Sequence, residues 1–78
     1  MKRVKLIWDF RGPNATKIAE HHDIHLKEYI KKNDLKNSFS GAEKFSEMYS
    51  IAFLVVNESD MKSTRDALRP HRGILHED

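Results

Sequence analysis

An α+β domain on one four-stranded antiparallel sheet is predicted by three features of the sequence. Residues 3–10 alternate polar and apolar, and residues 49–56 form a near-continuous apolar run, so both read as strands. Residues 13–32 and 61–68 carry apolar residues at helical spacing, and each follows one of those strands. Two weaker β-prone stretches, 38–45 and 73–76, complete the order β-α-β-β-α-β.

Each element has a local cause. In the first strand Val4, Leu6, Trp8 and Phe10 point one way, and Arg3, Lys5, Ile7 and Asp9 the other. Gly12-Pro13 breaks it, and Asn14 or the turn itself starts a helix. The expected inner stripe of that helix is Ala15, Ile18, Ala19, Leu26, Tyr29 and Ile30, and Lys31-Lys32-Asn33 closes it with cations suited to the dipole. The second strand is weakened by Gly41, and a turn at Ser46-Glu47 leads into YSIAFLVV, expected at the centre of the sheet. Asn57 to Asp60 offer capping side chains for the second helix, whose inner side is Met61, Thr64, Ala67 and Leu68. Pro70 ends it, and Gly73 to His76 form the last strand. This order is the ferredoxin-like split βαβ arrangement, with both helices on one face of the sheet.

The 78 residues make one domain, 1–78, small enough to be marginal as a monomer. The second sheet face is expected to be bare, with Trp8, Phe53 or their alternates on it, so pairing sheet to sheet as a homodimer is expected. There is no cysteine, hence no disulfide or thiolate site. The formal charge of +2 is mild, the basic residues are scattered, and the aromatic strand motifs of RNA-binding sheets are missing, so no nucleic acid is expected. The apolar amino-terminal run is too short for a signal peptide or a membrane span, and a soluble cytoplasmic protein is expected.

The most unusual local feature is HHDIH, residues 21–25. On the helix His22 falls in the apolar stripe, His25 on its border at the mouth of a cleft, and His21 further out. His21 and His25 have the i, i+4 spacing of zinc-protease helices, with Glu28 extending the row. The glutamate that such a motif needs is absent, because position 22 is His, and such pairs recur on polar helices without metal. No metal or other cofactor is therefore expected; His21, His25 and Glu28 are the alternative ligands. RGP, 11–13, reads as a strand-to-helix turn, and Asp9 is a carboxylate able to orient a histidine.

HLKEY at 25–29, the strand–glycine–strand–acidic-cap progression FSGAEKFSEMYSIAFLVVNESDMKSTRDAL, and RPHRGIL at 69–75 resemble the YCII-related group of the dimeric α/β-barrel superfamily. The resemblance implies a ferredoxin-like dimer with a histidine–aspartate dyad in a cleft between helix and sheet. His25 matches the histidine, while the aspartate position is occupied by Arg69, which cannot orient an imidazole as a carboxylate does.

The expected function is binding of a small polar ligand or partner in a helix–sheet cleft by His25, Tyr29, Arg69 and Asp9. The two alternatives are an enzyme using His25 as general acid/base with Asp9, and metal binding through His21 and His25.

Overall fold

A computed structural model describes residues 2–76. It contains β1 (Arg3–Arg11), α1 (Ala15–Lys32), β2 (Phe39–Ser46), β3 (Tyr49–Asn57), α2 (Glu58–Leu68) and β4 (Arg72–His76). The strands form one sheet in the order β2-β3-β1-β4, with every neighbouring pair antiparallel. This is the ferredoxin-like α+β fold that the alternation of elements predicts. No helix among the described residues is long and apolar enough to cross a membrane.

The even-numbered residues of β1 face the helices. Leu6 and Trp8 pack with Ala52, Leu54 and Val56 of β3 and with Ala19 and Leu26 of α1. Val4, Phe10, Met61 and Leu68 close this core at its margins. The entry to α1 is set by Gly12, whose φ of 118° suits glycine, and whose carbonyl accepts from the Ala15 N–H. The helix thus starts two residues beyond Pro13. Its inner stripe is Ala15, Ala19, His22, Leu26 and Ile30, spaced four, three, four and four apart.

Ile18, expected inside, is 47% exposed. Small alanines at 15 and 19, both fully buried, let the backbone of α1 approach the sheet along their own line. That turns Ile18 about 80° from the centre of the buried stripe. α2 starts at Glu58, three residues earlier than its apolar pattern predicts, and ends with Arg69 in the left-handed region at φ 50°. Ala67, expected inside, is exposed; Met61, Thr64 and Leu68 form the inner side.

The second face of the sheet differs from expectation. Trp8 is not on it. Ile7, Ile51 and Val55 are on it, yet they are 2%, 3% and 0% exposed with no helix above them. The cover comes from long side chains of the same face. The Phe53 ring lies across Gly41, so that a Cβ at position 41 would meet its Cζ at 2.6 Å. Lys5 Nζ sits 4.4 Å from the Phe53 ring centroid and 3.7 Å from Glu43 Oε1. Phe39 meets Phe53 edge-on, with the Arg3 guanidinium 5.4 Å from the Phe39 centroid. Each such cation–π contact contributes only about 0.5–1 kcal/mol at an exposed site. Together, though, they form a roof one side chain thick over three apolar residues, so the expected bare face is not bare.

Candidate functional site

The histidines of α1 separate by helix geometry. His22 faces the sheet, its ring centroid 4.8 Å from Trp8 and 5.7 Å from Phe10. Its Nε2 is buried and has no hydrogen-bond partner among the described residues. Burial, reinforced by the neighbouring His25 and His71, lowers its pKa below the ordinary imidazole value. His25 is not half-buried as its border position predicts. Its side chain is 60% exposed, because the buried stripe is turned away from it. Its partners are His21, with Nε2 to Nε2 at 3.0 Å, and Glu28, with Oε1 3.3 Å from Nδ1. No group of three His, Asp or Glu able to hold a metal converges among the described residues.

Asp9 lies on the other side of the sheet from α1, since it alternates with Trp8 and Phe10. The Tyr49 O–H donates to Oδ1 at 2.5 Å, and Arg72 donates through Nε to Oδ2 at 3.1 Å and through Nη2 to Oδ1 at 3.2 Å. These bonds, that of Arg72 first, hold the Asp9 carboxyl below its ordinary pKa. Arg11 stacks 4.2 Å from the Tyr49 ring centroid. Tyr29 is half-buried at the carboxyl end of α1, and Arg69 caps the carboxyl end of α2. His25, Tyr29, Arg69 and Asp9 share no hydrogen bond, ion pair or ring contact among the described residues. The structure does not gather them into one cleft.

Another set is gathered. The Trp8 Nε1–H donates to the Leu68 carbonyl at 3.3 Å, and the His71 N–H donates to the Ile7 carbonyl at 2.9 Å. The α2–β4 connection is thereby tied to β1. The Asp9 N–H donates to His71 Nδ1 at 2.9 Å. A neutral His71 must therefore carry its proton on Nε2, which is left as a donor. Phe10 has ring contacts with both His22 and His71, the latter at 6.3 Å.

Beside His71 a groove of about 510 Å³ runs between α2 and β4. Its apolar lining includes Val4, Leu6, Met61 and Leu75, and its polar lining includes His71 and Arg65. The groove has a cause in sequence. Position 73 pairs with Leu6 on the helix-facing side of the sheet, and it is glycine, so β4 puts no side chain there. A Cβ at 73 would stand 3.3 Å from Leu6 Cδ2. A smaller hollow of about 270 Å³ lies between α1 and the β2–β3 hairpin, lined by Thr16, Glu20, Lys44 and Ser50 among others. Neither hollow is lined by His25 or Tyr29.

His71 and the groove escape a reading of the sequence. The signals that bear on them are the Pro70-His71 step into an edge strand and Gly73 two residues later.

The lowered pKa of His22 has a consequence for stability. The unfolded chain takes up a proton near the ordinary imidazole pKa of ~6.5, while folded His22 resists it. Its contribution therefore turns unfavourable as pH falls below ~6.5, and stops growing below the folded pKa. His22→Phe should lose less stability between pH 7 and pH 5 than the wild type in urea unfolding. Equal losses would show that His22 takes up its proton as easily folded as unfolded.

Comparison with known proteins finds no matching family model, no matching curated protein and no matching solved structure.

Proposed function

We propose that the domain is a small-molecule binding module whose ligand has an apolar body and an anionic head and lies in the groove between α2 and β4. The observation that carries this reading is the groove of about 510 Å³, apolar along β1 and at Met61 and Leu75, with His71 at its margin. Sites for small ligands are hollows of ~300–1,000 Å³ with mostly apolar walls and a few polar groups. The polar groups here are Arg65 and His71 set against Glu58, while the Arg72 guanidinium is turned to Asp9 on the other face of the sheet. A carboxylate would accept from His71 Nε2–H and from Arg65 while its chain lies against Val4, Leu6 and Met61.

Octanoate and octan-1-ol are suitable probes for calorimetric titration. Octanoate is expected to bind saturably and at least tenfold more tightly than the alcohol. His71→Ala should shrink that preference, and Met61→Trp, which fills the groove, should abolish both signals. Binding untouched by Met61→Trp would sink the reading.

An acid/base enzyme is the second reading, favoured by an exposed His25 with Glu28 Oε1 3.3 Å from its Nδ1. In that reading His25 is the acid/base, open to solvent, with Glu28 and not Asp9 as the carboxylate beside it. Pairing with a second copy over the open sheet face is also part of the proposal. Phe39 and Phe45 on β2 and Ile74 on β4 stay exposed around the roofed centre. Light scattering at micromolar concentration should return twice the chain mass; a stable monomer would remove the dimer from the account.

A further inference from the structure

The outer face of α1 carries two imidazoles that neither the core nor the groove uses. His21 and His25 stand one helical turn apart with rings edge to face, centroids 4.7 Å apart. Their Nε2 atoms are 3.0 Å apart in hydrogen-bond geometry. On the far side of the His25 ring, Glu28 Oε1 lies 3.3 Å from Nδ1. A carboxylate there favours the His25 tautomer protonated on Nδ1, whose Nε2 lone pair faces His21. With that tautomer the Nε2–H of His21 is the donor between the two rings.

We propose that a divalent copper or nickel ion takes the place of this shared proton, chelated by Nε2 of His21 and Nε2 of His25. Glu28 orients His25 from behind and is not itself a ligand. The spacing allows a shared ion. With metal–nitrogen bonds of ~2.0–2.1 Å, nitrogens 3.0 Å apart subtend about 91–97° at the ion. That angle suits the square-planar and octahedral geometries of copper and nickel, and exposed rings can also open to the about 3.3–3.4 Å of a tetrahedral site, so the order of metals follows the affinity series. Copper also heads the affinity series for nitrogen ligands.

The neighbouring His22 cannot join, because its ring is turned onto Trp8 and Phe10. With no third protein ligand converging among the described residues, the remaining positions fall to water. The site is therefore an exchangeable surface chelate and not a folding metal.

Calorimetric titration of the whole chain with Cu²⁺, Ni²⁺ and Zn²⁺ tests this, together with electron paramagnetic resonance of the copper form. One ion per chain is expected, with affinities in the order copper, nickel, zinc and a copper spectrum showing two equatorial nitrogens. His21→Ala and His25→Ala should each weaken nickel binding at least tenfold, and both residues are exposed enough to leave the fold intact by circular dichroism. Glu28→Ala should weaken it about tenfold while keeping the stoichiometry, as loss of an outer carboxylate does. His71→Ala and His76→Ala should change nothing. The proposal is overturned if His21→Ala leaves the affinity unmoved, if zinc binds as tightly as nickel, or if no ion binds at millimolar concentration.

Discussion

Trp8→Ala is expected to cost about 3–5 kcal/mol, the range for deleting a large buried aromatic side chain. Trp8 sits at the centre of the helix-facing side of β1, and only 4% of it is exposed. Its indole spans three elements at once. It packs in the cluster with Leu26 and Leu54, supports the His22 ring at 4.8 Å, and donates to the Leu68 carbonyl at the end of α2. Domains of this size have roughly 4–12 kcal/mol of total stability by the usual per-residue range. The variant should therefore lose about a quarter or more of its stability. Urea titration followed by circular dichroism reads the loss, and Trp8→Phe should retain most of it. A loss below about 1.5 kcal/mol for Trp8→Ala would mean that the cavity collapses freely and that Trp8 is not the centre of this core.

Gly41→Ala should be the more surprising of the large effects, because it adds a single methyl group to a strand. A Cβ at 41 would stand 2.6 Å and 2.9 Å from two atoms of the Phe53 ring. The ring must then leave its seat, and Lys5 above it loses its platform. Overpacking of this kind costs ~1–3 kcal/mol. The cause is specific, so the test is a cycle with Phe53→Leu. The double variant should lose less than the sum of the single ones, with a coupling of ~0.5–3 kcal/mol. Additive losses would show that glycine is needed at 41 for some reason other than the ring.

The course of the chain was legible because each cue for it is local. Alternation in β1, the apolar run of β3 and the proline at 70 name their elements without any tertiary knowledge. His22 facing inward was legible for the same reason. So was one fact that the expected His25–Asp9 pair ignores: Asp9 alternates with Trp8, so it points away from the face that carries both helices.

The rest depends on residues far apart in sequence. The roof over Ile7, Ile51 and Val55 requires Lys5, Gly41 and Phe53 to meet across three strands. The groove requires Gly73 to fall opposite Leu6 in the β1–β4 register. The tautomer of His71 is set by the Asp9 amide, sixty-two residues away. The outward turn of Ile18 and His25 follows from the two alanines on the sheet-facing side of α1, which a stripe drawn through the largest apolar residues does not weigh.

On the proposed reading the apolar ligand is held between α2 and β4, apart from the metal-binding face of α1. Intermolecular nuclear Overhauser effects between bound octanoate and methyl groups of the protein test it most directly. The account predicts contacts from the octanoate chain to Val4, Leu6, Met61 and Leu75, with the carboxylate end nearest His71. Contacts to Ile18 or Ile24 on α1, or to Ile7, Ile51 and Val55 on the open face, would contradict it.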